Sequence, residues 1–251
     1  MDTPSSQTVT RNRSIFQAAA VLAAGLVLSA MVLAWGAMQV KQTDQTIVVT
    51  GSARQRIVSD KVVWRATIAY ESSNLDGAYQ SLKTSIPRLQ EYLKKQGIAE
   101  GDMTLSSIQS TALKERKEYG DESGPITGYA LRQSVEVRSA DVERVTRISR
   151  EVTELIKQGI LVQSEAPQYI YTKLQDLKQE MLAAAAKDAR ERAEKIAGSV
   201  GSKVGGVRAA RMGVLQITPA DSTETSDMGV SDTASLEKDI TSVVSITFAV
   251  R

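Results

Sequence analysis

Residues 61–71, KVVWRATIAYE, followed by Ser72-Ser73-Asn74 and then residues 75–95, LDGAYQSLKTSIPRLQEYLKK, decide the fold. In the first stretch Val62, Trp64, Ala66, Ile68 and Tyr70 share one side, while Arg65, Thr67 and Glu71 point the other way. A period of two carried by β-branched and aromatic residues predicts a half-buried strand. After Asn74 the period lengthens, and Leu75, Ala78 or Tyr79, Leu82, Ile86, Leu89 and Leu93 recur at helical spacing. Lys94-Lys95 in a last turn, then Gly97-Ile98, predict a left-handed cap at the helix end. Pro87 sits inside this run and should kink or split the helix, because it removes one backbone donor.

Outward from this pair the same change of period recurs. A strand over 47–57 precedes it, with a turn at Ser59-Asp60. Strands follow over 103–113 and 126–138, joined by the polar stretch 114–125. In the second, Tyr129, Leu131, Gln133, Val135 and Val137 alternate with Arg132, Ser134 and Glu136. A helix over 140–158 carries Val142, Val145, Ile148, Val152, Leu155 and Ile156 on one side, with Ser139 as N-cap and Gly159 as its stop. A strand over 160–171, a long Ala-faced helix over 173–200, a strand over 207–217, an acidic loop over 218–238 and a strand over 239–251 complete the chain. The pattern predicts an α+β fold of two βαββ-like lobes, about 47–138 and 160–251, with helix 140–158 between them. The lobes would share a mainly antiparallel sheet with helices on one face.

Residues 14–40 contain no charge, and 18–34 (AAAVLAAGLVLSAMVLA) are almost wholly apolar. As a helix this is roughly 40 Å long, enough to cross a bilayer. Ile15, Leu22, Leu26, Leu28, Val32 and Leu33 would face lipid, with Trp35 at the interface. Arg11 and Arg13 before the span predict a cytoplasmic tail over 1–13, an anchor over 14–40, a tether over 41–46 and an exported body. The alternative is a signal peptide cleaved near Ala34-Trp35-Gly36, against which stands the length of the apolar run. With no Cys, the chain carries no lipoprotein attachment residue.

His and Cys are both absent from the 251 residues. That removes His- and Cys-based catalytic triads, zinc sites built on them, thiol chemistry and disulfides. Net charge is +2 and aromatics are 4%, so neither a basic field nor a base-stacking surface points to nucleic acid. The expectation is a protein that is not an enzyme and uses no cofactor or metal: one that assembles with copies of itself or, as the alternative, a monomeric periplasmic module that binds a small molecule or peptide between its lobes.

Four stretches invite chemistry and are read otherwise. Ser235-Leu236-Glu237-Lys238 fits SxxK, but its companion motifs are missing and it falls in a loop of solvated residues. The glycines from Gly198 to Gly206 follow a helix instead of opening one, which suits capping and not phosphate. Glu115, Glu118, Asp121 and Glu122 alternate with Lys114, Arg116 and Lys117 as a solvated hairpin tip, without calcium-loop spacing. The 173–200 helix has one small apolar face and a charged remainder. It either lies on its own sheet or lets a second subunit approach closely.

These elements resemble the SIMPL-domain family of bacterial exported proteins. Val48-Val49-Thr50-Gly51-Ser52-Ala53 looks like the family's opening strand, and Leu89 through Gly97-Ile98 and Asp102 is similar to its "L…GI…D" segment. Gly128-Tyr129 resembles its "GY" element, and residues 184–201 its Ala-rich "DAR..AE..A...G" helix. The resemblance covers 46–251 and departs from the pattern at Pro87 and over 218–238. It implies a periplasmic or inner-membrane-anchored module, linked to stress tolerance, that assembles with itself into rings or channels. Its partners would be other copies and inner-membrane lipid. No catalytic residue is carried over. Ile47 and Val49 on one strand edge, Val244 and Ile246 on the last strand, and Ala185 and Ala189 on the long helix are the candidate interface.

Overall fold

The computed structural model describes residues 7–42, 45–115 and 124–251. The element order is α1 (Gln7–Gln42), β1 (Thr46–Val58), β2 (Lys61–Ser72), α2 (Leu75–Lys95), β3 (Met103–Leu105), β4 (Gln109–Lys114), β5 (Ile126–Ser139), α3 (Val142–Glu151), β6 (Val162–Ser164), β7 (Gln168–Ile170), α4 (Leu174–Ser199), β8 (Val204–Met212), β9 (Gln216–Pro219) and β10 (Glu237–Val250). Two compact units share them: Met1–Gly51 with Asp188–Arg211 and Ser245–Arg251, and Ser52–Lys187 with Met212–Val244.

The second unit is organised by the pair that the sequence singled out. β2 and β5 run antiparallel from Val62 opposite Ser139 to Ser72 opposite Tyr129. They form the centre of a six-stranded sheet ordered β3-β5-β2-β6, with β4 also on β5 and β7 also on β2. Val62, Trp64, Ala66 and Ile68 of β2 and Leu131, Val135 and Val137 of β5 are buried in one cluster with Leu82, Leu89 and Leu93 of α2 and Val145 and Ile148 of α3. The Trp64 indole donates to Ser164 Oγ at 3.0 Å, so its buried polar end is satisfied.

Helix α2 starts where Asn74 accepts from the Gly77 amide at 2.7 Å. It ends with Gly97 at φ +89°, where the Gly97 amide donates to Lys94 O and that of Ile98 to Leu93 O. This double bond pattern satisfies two terminal carbonyls and needs a residue at ease in the left-handed region. Contrary to expectation, the helix runs unbroken through Pro87. Pro87 is on its exposed side, so the Lys83 carbonyl that loses a partner faces water while Ile86 and Leu89 stay on the sheet.

Where the sequence predicts one strand over 103–113, there are two. From Leu105 opposite Val135 to Gln109 opposite Arg132 the ladder gains one residue, a bulge. The expected strand over 160–171 is likewise split: Ser164 faces Ala66 but Gln168 faces Val63. Pro167 in the gap cannot donate to a ladder. The 207–217 strand breaks between Met212 and Gln216. The 140–158 helix is α-helical only to Glu151 and 3₁₀ from Val152 to Gln158. Its N-cap is Asp141, accepting from the Arg144 amide, and not Ser139, whose Oγ accepts from the Asp141 amide.

A second core in this unit joins Ile57, Leu177, Met181 and Ile240, with Leu215 and Ile217 against it. β10 pairs antiparallel with β9 from Lys238 opposite Pro219 to Thr241 opposite Gln216. In the first unit Val49, Ala189, Ala193, Ala197, Ile246 and Phe248 are buried. Lys203 and Arg251 exchange both backbone hydrogen bonds, at 2.7 and 2.9 Å.

The mixed α+β class, the antiparallel sheets and the apolar N-terminal helix are as expected. The single shared sheet is not found. A four-stranded sheet ordered β1-β10-β8, with β9 also on β10, is separate from the six-stranded one. The first strand therefore pairs with the last, and β6 and β7 with β2, across the lobes that chain order suggested.

Candidate functional site

Two kinds of surface emerge from this fold: one apolar helix, and the edges of the four-stranded sheet. In α1, residues Ala19–Gly36 have mean hydropathy 2.1 and none is buried. Leu22, Leu26, Leu28, Val32, Leu33 and Trp35 are all exposed. The Ile15 side chain lies outside the described ones. A helix with this composition fits a signal anchor or a signal peptide.

The six interface candidates fare differently. Val49, Ala185, Ala189, Val244 and Ile246 are buried within the single chain, and Ile47 is half-buried. The five buried side chains are committed to the protein's own packing. β10 lies between β1 and β8 and is not an edge, whereas β1 is one, as expected. The sequence reading missed the other edge, β8. From Gly206 to Met212 every residue of β8 is exposed, Val207 at 56% and Met212 at 69%. A strand uncovered on both faces is unusual, since a half-buried strand alternates. A signal was available: VGGVRAARM has no clean alternation.

Beside the start of the break after β8, Leu182 of α4 with Met212, Val214 and Leu215 line an apolar groove of about 500 Å³. Val214 is 49% exposed, and the neighbouring Met228 is the most exposed apolar side chain of the described residues, at 92%. Gly229 lies against Val214, where a Cβ would stand 2.6 Å from its Cγ1.

The buried charges form a pin, not a reaction centre. Asp239, 2% exposed, accepts from Arg54 at 2.5 Å and from Arg56 at 3.1 Å, and from the Asp221 amide at 2.8 Å. Arg56 also pairs with Asp221. Hydrogen bonding by Arg56 is the main cause that holds the Asp239 carboxyl well below the usual carboxylate range. The same contacts raise the Arg56 guanidinium. Asp221, at φ +63°, is the one non-glycine residue in the left-handed region among those described, and its bond to Asp239 holds it there.

Lys238 of the SxxK stretch is buried, against the expectation of solvated residues. Its ammonium donates to Tyr169 O at 2.8 Å and Asp232 O at 2.5 Å, and burial lowers its pKa. β10 begins at Glu237, so Ser235 and Lys238 do not share a helical face, as SxxK chemistry needs. Among the described residues no group of three or more acidic side chains could hold a metal. Glu115 is described, but Arg116, Lys117, Glu118, Asp121 and Glu122 lie outside the described residues. The Gly198–Gly206 stretch caps the end of α4, with Gly201 at φ +75°.

No curated protein matches the chain. A solved structure titled "Crystal structure of an Amidase (hydantoinase/carbamoylase family) from Burkholderia phymatum" is similar over 54% of this chain and 36% of that one. Identity is 16% and the TM-score 0.24, a likeness that carries no argument. The family model SIMPL, described as "Protein of unknown function (DUF541)", matches residues 47–248, essentially the whole body from the first strand to the last. The chain belongs to the SIMPL family.

Proposed function

We propose that this protein is a non-enzymatic, membrane-anchored member of its family whose exported body assembles with copies of itself. The observation that carries the reading is β8, a sheet edge exposed on both faces, whose last residue Met212 also lines an apolar groove. An open edge of unpaired backbone groups is a template for another strand. β1 and β8 are different edges of one sheet, so pairing β1 of one copy with β8 of the next is a heterologous contact. Such a contact closes into a ring when the rotation allows. α1 supports an anchor that confines copies to one plane, raising their effective concentration and favouring closure. Arg11 and Arg13 support an N-terminus in the cytoplasm. The family resemblance supports a periplasmic body and a role in stress tolerance.

The test is the light-scattering mass of the full-length protein in detergent, corrected for bound detergent, across a hundredfold dilution. A discrete multiple of 27.1 kDa that survives dilution is expected. One subunit mass throughout overturns assembly and leaves a monomeric binding module as the reading. Mass spectrometry of the membrane-extracted chain decides between anchor and cleaved signal, since cleavage removes about the first 36 residues.

A further inference from the structure

We propose that the open face of the six-stranded sheet binds a short zwitterionic peptide of about three residues. This rests on a different surface from the assembly reading and does not depend on it. Helices cover one face of the sheet; the other holds a trough of about 630 Å³ whose lining side chains are all polar or charged. The bulges in β3–β4 and β6–β7 flank it.

Register lays out the trough. Thr67 and Ser134 are opposite each other on β2 and β5, with hydroxyls 2.8 Å apart, and form a shallow floor. Two residues along β5 on one side stands Glu136, two residues the other way Arg132. Four strand residues separate those walls by about 13 Å. Glu136 is spent: Arg65 holds it at 2.8 Å and Arg138 at 2.6 Å, lowering its pKa. Glu165, on the other side of Arg65 where β6 ends, is not, and it lies diagonally across the trough from Arg132. Its ion pair with Arg65 is long, 3.8 Å, and its carboxylate, 46% exposed, is turned to the floor, where Thr67 donates to it at 3.4 Å. At the opposite wall the exposed Arg132 guanidinium has no ion pair or hydrogen bond to any described residue.

One uncommitted cation and one under-used anion thus face each other across a hydroxyl floor. The lining carries as many positive as negative side chains, so a polyanion gains nothing, and an apolar ligand finds no aliphatic or aromatic wall. A tripeptide extends about 10 Å between its termini. Its carboxylate reaches Arg132, its ammonium reaches Glu165, and its amides meet the hydroxyls of Thr67 and Ser134.

The experiment is calorimetric titration of the full-length protein in detergent with trialanine, with N-acetyl-trialanine amide and with acetate. Trialanine should bind with a dissociation constant on the order of 1 mM or tighter. The capped peptide should bind at least about tenfold more weakly, as should trialanine to Arg132→Gln or Glu165→Gln. Both substitutions are of exposed side chains, and an unchanged melting temperature shows that the fold is intact. No heat from trialanine up to about 10 mM overturns the proposal. So does capped peptide binding as well as free peptide, acetate binding as well as trialanine, or either variant binding like the parent. Retained trialanine binding by a strictly monomeric protein would sink assembly and leave this site standing.

Discussion

The two sheets bury their faces with different materials, and the contrast says which part of the molecule is self-sufficient. Under α2 and α3 the six-stranded sheet packs Trp64, Ile68, Leu82, Leu89, Leu93, Leu131 and Ile148, all at most 2% exposed. Each such side chain contributes about 1.5–3 kcal/mol of burial. α4 instead turns Ala185, Ala189, Ala193 and Ala197 inward, side chains that add little area but let a helix approach a backbone closely. The strands of the four-stranded sheet also bury an ionised pin at Asp239 and leave Val207 and Met212 in solvent. The first sheet has one whole face packed under its own helices. The second leaves its β8 edge uncovered on both faces, which is where a partner has something to gain.

The sharpest way to break the comparison is to remove bulk from the first core. Trp64→Ala should cost about 3–5 kcal/mol, read from the urea midpoint, because it deletes the largest buried side chain and leaves Ser164 Oγ without its indole donor. Around α4 the damage should come from addition instead. Ala189→Leu, at a position with no exposure, should cost about 1–3 kcal/mol by overpacking, whereas the same change at exposed Ala183 should be nearly neutral.

Acid should reach the pin of the second sheet through Asp239. Its folded pKa is depressed below the unfolded value near 3.9. Its stabilisation is therefore fully present above that value and lost as pH falls below it towards the folded one. Glu136, paired with Arg65 and Arg138, contributes with the same sign. Melting temperature should fall steeply below about pH 4, and Asp239→Asn should both lower the neutral-pH value and flatten the acid limb. A profile unchanged by the substitution would mean that the pin carries no ionic stability. Smaller again is the loss of a single cap. Asp141→Ala should cost about 1 kcal/mol in the same denaturation experiment, and Ser139→Ala less, since only Asp141 meets the first turn of α3.

What was legible in the sequence follows the same divide. The period change at Asn74, the β2–β5 faces and the Gly97 and Gly159 stops are local signals, and each is where it was expected. The breaks near 106–108 and 165–167 are register events: a bulge depends on the partner strand, and only Pro167 hinted at one. Which strands share a sheet is a non-local matter, and two adjacent strands, β1 and β2, end in different sheets with no mark at Ser59-Asp60. The interface candidates meet a related limit. Apolar residues on an edge strand and an Ala-rich helix face look alike whether they meet their own chain or another, and Val49, Ala189 and Ile246 are buried within their own.

That outcome moves the decisive substitution to the side chains left over. Val48 is 66% exposed on β1 and Val207 is 56% exposed on β8. Replacing either with Glu should shift stability by no more than about 0.5 kcal/mol, because neither supports the folded chain. If the edges pair between copies, the same change places a carboxylate in a strand-to-strand contact, where burial without a partner is costly. The expected result is a protein with the parent's urea midpoint and a smaller light-scattering mass. The two readouts separate causes that Val49→Glu would confound, since a buried charge at that position unfolds the sheet before any assembly is tested. An unchanged mass in both Val48→Glu and Val207→Glu would exclude the edges. Attention would then pass to the apolar groove at Met212–Val214.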